Sequence, residues 1–324
     1  MNRKNNMTWK DAFFSSPGPN SIKSAAGLSL KGMCMGSADV IPGVSGGTIA
    51  LITGIYEHLI QAIRSIDSVM LKKLLKVDLK SALAHIHVRF LISLFFGIGV
   101  AIVSLARLMN YLLHHHPVHT WSLFFGLIAA SILVVGKQVK HWWGSAGVCF
   151  LAGTAAATII VNLIPVATPE ELWFIFLCGI IAICAMILPG ISGAFILLIL
   201  GKYEFITATL KNPFLPPNFF IIVVFGAGCL IGLLIFSRVL NYFLQKFHNM
   251  TIAFLTGLMT GSIQKIWPWK EVLETRMIRG SSHVLWGRNI LPDAIDGEIF
   301  FAVLLAIIGF IAVMVIEGMS RERI

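Results

Sequence analysis

The chain is a series of long apolar runs separated by short polar segments. Ten runs can be marked, at roughly residues 25–41, 44–63, 90–113, 120–136, 146–165, 172–188, 191–210, 219–244, 250–266 and 298–318. A helix that crosses a bilayer needs about 20 predominantly apolar residues, so runs of this length predict membrane helices. Two pairs of runs, 25–63 and 172–210, are broken in the middle by Pro-Gly-x-Ser-Gly, at Pro42–Gly46 and Pro189–Gly193. Proline removes a backbone donor and glycine is conformationally permissive. A break at membrane depth is tolerated only where protein or a cavity surrounds it. Each broken pair therefore predicts a re-entrant hairpin with its tip inside the membrane.

The breaks belong to an internal duplication. Residues 41–60 align without gaps on 188–207, with ten of the twenty positions identical, Pro42/Pro189, Ser45/Ser192, Tyr56/Tyr203 and Glu57/Glu204 among them. RLMNYLL at 107–113 pairs with RVLNYFL at 238–244, and GLIAASI at 126–132 with GLMTGSI at 257–263. The predicted fold is an all-α polytopic membrane protein, a single transmembrane domain over 1–324. Repeat one covers about 25–165 and repeat two about 172–318, each with a re-entrant helical hairpin plus three transmembrane helices. An odd number of spans per repeat makes the repeats inverted.

Composition agrees with a membrane protein, at 57% hydrophobic and 12% charged residues and a mean hydropathy of +0.85. The net charge of +10 does not point to nucleic acid, because the basic residues fall in the segments between runs, as the positive-inside rule describes. Placing both termini in the cytoplasm puts 17 of the 25 basic residues on the inner side. The linker 64–89 has helical apolar spacing with Lys72, Lys73, Lys76 and Lys80, and is expected along the anionic inner surface. The Trp9–Phe14 stretch is expected at the interface. Residues 1–24 contain no apolar core of a cleavable signal. The five cysteines form no CxxC pair, and no metal or cofactor is expected.

The candidate chemistry lies at the tips. Ser45, Gly46, Gly47 and Thr48, with Ser192 and Gly193, open new helices, whose free N–H groups suit an anion. Ionisable residues at membrane depth add Arg107 and Arg238 as substrate-binding candidates, and Asp39, Glu57 and Glu204 as coupling or gating candidates. Asp39 has Met186 at its aligned position, and is either an ion site or the cap of a half-helix. Counted along a continuous helix, Glu57 lies roughly 18 Å from Ser45, near the inner surface. This depth predicts Arg238/Glu57 as an inner gate and Arg107/Glu204 as an outer one. His114–His116 and His119 are read as a solvated outer loop.

The segment MGSADVIPGVSGGTIALITGIYE at 35–57, with its second copy ILPGISGAFILLILGKYE at 187–204, resembles the PopT-type polyprenyl-phosphate transporters, also catalogued as domain of unknown function 368. The resemblance covers nearly the whole chain. It implies a flippase of the bacterial plasma membrane that returns undecaprenyl phosphate from the outer to the inner leaflet for reuse in envelope synthesis. The implied partners are the polyprenyl-phosphate lipid and the bilayer, with proton or sodium coupling and oligomeric state left open. Undecaprenyl-pyrophosphate phosphatases share the re-entrant architecture but carry PG-x-S-R-S. Here Gly46 and Gly193 stand at the arginine position, and residues 1–56 contain no Glu. Without those groups hydrolysis is disfavoured. A carrier of a small soluble anion is the remaining alternative.

Overall fold

The computed structural model describes residues 7–40, 45–166, 168–278, 281–292 and 297–321. Its first half holds α1 (Trp9–Ser15), α2 (Ile22–Asp39), α3 (Gly46–Ile52), α4 (Tyr56–Arg64), α5 (Ser68–Leu75), α6 (Leu79–His85), α7 (Val88–His115), α8 (Pro117–Gly136) and α9 (Ser145–Val161). The second half holds α10 (Leu172–Ile187), α11 (Gly193–Ile199), α12 (Tyr203–Lys211), α13 (Pro216–Lys246), α14 (His248–Ser262), strands β1 (Lys270–Ile278) and β2 (Ser281–Asn289), and α15 (Gly297–Arg321). Among the described residues four helices, α7, α8, α13 and α15, are long and apolar enough to cross a membrane. The chain is a multi-pass membrane protein. Pro117 and Pro216 open α8 and α13, where a missing N–H deprives the helix of nothing.

Three expectations need adjusting. The predicted spans 146–165 and 250–266 are helices of only 17 and 15 residues, roughly 25 and 22 Å long. They pack on each other, and α14 is buried along most of its length, so neither needs to match the lipid thickness alone. The predicted runs 44–63 and 191–210 are not continuous helices. Each breaks at a glycine with positive φ, Gly54 at +71° and Gly201 at +64°, a conformation open to glycine and costly for other residues. The second break bends the chain by 113°. Third, an all-α chain was expected, yet Lys270–Ile278 and Ser281–Asn289 form an antiparallel β1–β2 pair beside the helices. The linker 64–89 is likewise two short helices, with Asp67 capping α5 and Asp78 capping α6.

The helices pair through glycine. A Cβ on Gly97 of α7 would collide with the carbonyl oxygen of Ser29 on α2, and one on Gly228 of α13 with that of Phe176 on α10. Gly257 of α14 meets Phe150 of α9 in the same way, and Gly126 of α8 meets Ala306 of α15. Contacts advance together along α2 and α7, Gly32 against Leu94 and then Gly36 against Ile98, so the two run parallel. The same holds for α10 and α13, where Gly228 faces Phe176 and Gly232 faces Ile180. A chain that enters two parallel helices from one end must come back between them. α3 and α11 make that return. Gly46 lies beside Asp39 while Lys31 Nζ donates to the Thr53 carbonyl at 2.7 Å, so α3 folds back along α2. Gly193 lies beside Ala182, and Leu197 packs with Cys178, so α11 folds back along α10.

At one end of the molecule the buried Arg89 ties the N-terminal segment down. Its guanidinium donates to the carbonyls of Ser16 and Pro19 and to Asn20 Oδ1.

Two glycines on one helix separate packing from propensity. Gly97 is in backbone contact with α2, whereas Gly99 has open space around it. Gly97→Leu is expected to lower thermal stability in detergent by more than the ~1–3 kcal/mol typical of overpacking. Gly99→Leu should leave it within about 0.5 kcal/mol of the parent. Equal melting temperatures for the two variants would refute the close-contact interface.

Candidate functional site

The returning helices bring the two broken tips together. Ser45 Oγ donates to the Leu188 carbonyl at 3.1 Å, and Gly190 N–H donates to Thr48 Oγ1 at 3.0 Å. The buried Tyr56 adds a third link, its hydroxyl donating to the Ile187 carbonyl at 3.1 Å. A Cβ on Gly47 would press on that same carbonyl. The tips therefore touch one another through hydrogen bonds. Pro42 and Gly43 lie outside the described residues.

The two tips are finished differently. At α3 the first N–H groups are taken by the chain's own side chains: Gly46 N–H donates to Asp39 Oδ1 at 2.8 Å and Gly47 N–H to Ser45 Oγ at 3.2 Å. Asp39 thus stands in the cap position, one of the two roles open to it. A carboxylate of the protein stands where an external anion would. At α11 Ser192 makes no side-chain capping bond, and both Ser192 and Gly193 are buried.

Lysines serve the opposite ends of these half-helices. Besides Lys31 on Thr53, the buried Lys202 donates to the Thr168 carbonyl at 2.7 Å, and the Thr168 hydroxyl donates to the Leu200 carbonyl. Carbonyls freed at a helix C-terminus are thereby satisfied by donors, one of them cationic.

The residues of the proposed inner gate, Glu57 and Arg238, have other partners in this structure. Glu57 Oε1 lies 3.2 Å from His248 Nε2, while Arg238 donates to the carbonyls of Leu234 at 2.6 Å and Ile66 at 3.2 Å. Arg238 lines a cavity of about 350 Å³ with Arg64, Asp67, Asn241, Tyr242 and Gln245. The depth estimate for Glu57 assumed an unbroken helix from Ser45, and the turn at Gly54 removes that assumption. Glu204 is exposed on α12. Arg107 lies in α7 and its side chain is outside the described residues. At the α7–α8 junction His115 Nδ1 sits 2.9 Å from the Tyr111 carbonyl, its ring stacked on Tyr111.

This arrangement can be set beside known proteins. The family described as "Undecaprenyl phosphate translocase-like" (VCA0040-like) matches residues 35–284, a stretch that contains both tips. The chain belongs to that family. It is 45% identical over 264 residues to the polyprenyl-phosphate transporter of Vibrio cholerae, covering 81% of this chain and 84% of that one. It is 30% identical over 315 residues to the polyprenyl-phosphate transporter of Staphylococcus aureus, covering 91% and 96%. No solved structure matches. The family and these relatives are transporters, not enzymes.

Within this translocase-like chain, two lysines that the motifs did not single out stand near the second tip. Lys265 Nζ lies 4.4 Å from the Phe195 ring centroid, and Phe195 is in the first turn of α11. Lys270 Nζ lies 5.4 Å from the Trp121 ring centroid and donates to the Lys265 carbonyl. Burial, and secondarily the charge of Lys265, push Lys270 down to about 8. Both lysines follow α14, Lys265 at the end of the apolar run 250–266 and Lys270 just past it, and nothing local marks them as close to a tip that lies far earlier in the chain.

Two measurements test the site. Thr48→Val leaves the buried Gly190 N–H without its partner and is expected to cost about 1–3 kcal/mol, whereas Thr48→Ser keeps the acceptor and most of the stability. Thermal melts that do not distinguish Val from Ser would count against the bond. Lys270 titrates near 8 when folded against 10.5 for an ordinary lysine. In that window the unfolded chain holds more protons, so stability rises with pH from about 8 to about 10. Lys270→Gln is expected to flatten the rise, read as melting temperature in detergent.

Proposed function

We propose that this chain moves undecaprenyl phosphate from the outer to the inner leaflet of the bacterial plasma membrane, returning the carrier lipid for cell-envelope synthesis. The observation that carries the reading is the meeting of two broken-helix tips, Ser45 with Leu188 and Thr48 with Gly190. Broken helices that meet at membrane depth are the usual setting for a transported anion. The polyprenyl-phosphate transporters of Vibrio cholerae and Staphylococcus aureus support the choice of substrate.

The same reading takes the chain as two inverted repeats with both termini cytoplasmic. The packing supports it in pairs. α2 against α7 in repeat one answers to α10 against α13 in repeat two, and α9 against α14 answers to α15 against α8. Transport then proceeds by separating the tips. The lipid phosphate replaces the bonds between them, and its chain stays in the bilayer alongside. Arg107 and Arg238 attract the phosphate at the two faces, with Glu204 and Glu57 as their competitors for it. On the inner side the cavity of about 350 Å³ at Arg64 and Arg238 is the release point.

Reconstitution is the test. Liposomes containing the protein are expected to exchange a labelled polyprenyl phosphate between leaflets well above protein-free liposomes, and to leave labelled inorganic phosphate outside. Gly47→Leu forces a side chain into the tip contact and should abolish exchange. Uptake of inorganic phosphate without lipid exchange would instead favour a soluble-anion carrier.

A further inference from the structure

A groove of about 300 Å³ runs between α8 and α15, floored by Gly126, Ala129 and Ala306 and walled by Phe125 and Phe310. Trp267 and Trp269 close one end of it. The groove exists because the close contact of Gly126 with the Ala306 backbone, together with small neighbours, leaves a trough between two rows of larger side chains. Val303 and Ile307 on its rim are 47% and 50% exposed, so the trough opens sideways from the helix bundle. Its lining is almost wholly apolar, and by volume it stands at the low end of small-molecule pockets, roughly 300–1,000 Å³.

The closed end leads to the two lysines. Phe125 packs edge-on against Trp267 with ring centroids 5.4 Å apart, and Trp267 meets Trp269 edge-on as well, at 5.7 Å. Lys270 follows Trp269 directly and sits over Trp121, one helical turn before Phe125. Lys265 is joined to it through its own carbonyl. An apolar trough thus ends at tryptophans that adjoin two lysines, with Lys270 bonded to the Lys265 backbone and its charge disfavoured by that of Lys265.

We propose that this groove binds the head-proximal part of the polyprenyl chain, with Lys265 and Lys270 holding the terminal phosphate before it reaches the tips. The proposal rests on the transporter reading above and adds the entry site. Charge complementarity selects the occupant. A phosphate monoester carries about −1.5 to −2 near neutral pH, which matches two lysines, whereas the diester of an ordinary phospholipid carries a single charge. The phosphate also offsets the repulsion that the Lys265 charge exerts on Lys270 in the empty site. Because the groove is short, only the first isoprene units lie in it and the remainder of the chain runs in lipid. Lys265, over Phe195 in the first turn of α11, then stands between the groove and the second tip.

The test uses the full chain in phosphatidylcholine nanodiscs with radiolabelled farnesyl phosphate as probe. Ala129→Phe, which fills the trough, and Lys265→Gln/Lys270→Gln are each expected to weaken its binding at least about tenfold, the loss of charge-assisted contacts or of chain burial. Lys265→Arg/Lys270→Arg should retain binding, and farnesol should compete poorly. A photoreactive farnesyl phosphate on the unaltered protein is expected to label α8 and α15 peptides, a readout independent of whether any variant folds. Labelling confined to other helices, or unchanged affinity in both kinds of variant, overturns the entry site and leaves the transporter reading standing. Competition by phosphatidylglycerol at equal potency would make the groove an annular lipid site and also overturns it. If the unaltered protein binds no farnesyl phosphate while catalysing lipid exchange, the groove proposal alone fails. If it does neither, the proposed function fails with it.

Discussion

A backbone that stops being helical inside lipid must find partners for every N–H and C=O it frees, because no water is there to supply them. This chain breaks its helices twice, and the breaks serve each other. The carbonyls of Ile187 and Leu188 receive Tyr56 and Ser45, the Gly190 N–H goes to Thr48, and the start of α3 is held by Asp39. The far ends of the half-helices go to Lys31 and to the Lys202–Thr168 pair. Neither break is provided for by its own segment alone. Both halves of the chain must be in place before either tip is satisfied, which ties the integrity of the putting-together of the bundle to its centre.

The glycine contacts follow from the same setting. Between helices in lipid there is little hydrophobic gain from association, so the attraction comes from close packing. Gly97, Gly126, Gly228 and Gly257 let helices meet backbone to backbone. Those rigid pairs hold α3 and α11 against α2 and α10 so that two seven-residue helices end within hydrogen-bonding distance of one another. Short helices of this length have no stability of their own. Their position is inherited from the long ones.

Much of the bundle was legible in the order of residues. The apolar runs at 90–113, 120–136 and 219–244 became α7, α8 and α13 with ends shifted by only a few residues. The broken pairs were marked by Pro-Gly, and their meeting by the duplication. The turns at Gly54 and Gly201 were equally visible as glycines inside apolar runs, yet treating each run as one helix erased them, and with them the basis for counting the depth of Glu57 from Ser45. What periodicity could not carry was distance through space. Asp39 reaches Gly46 across the break, Glu57 finds His248, and Lys265 comes to Phe195 from the turn after α14. Each partner is set by helix pairing, which the pattern of one segment does not contain. The β1–β2 pair lay in a loop whose residues carried no strong alternation.

The unequal finishing of the two tips bears on how a carrier would rest. Asp39 caps α3 and Met186 stands at the matching place in the other half; Tyr56 is buried on Ile187 while Tyr203 is 40% exposed. In an alternating carrier built on the proposed repeats, chemically identical halves would make the two end states mirror each other in free energy. These halves are not identical, so one orientation is the ground state before any lipid arrives. Substrate meeting the other side must first draw the protein out of that state, and its apparent affinity there falls by the fraction of molecules already open to it. Such a bias decides on which side the empty protein waits. The net direction of flux is still set by where the lipid is supplied and where it is consumed.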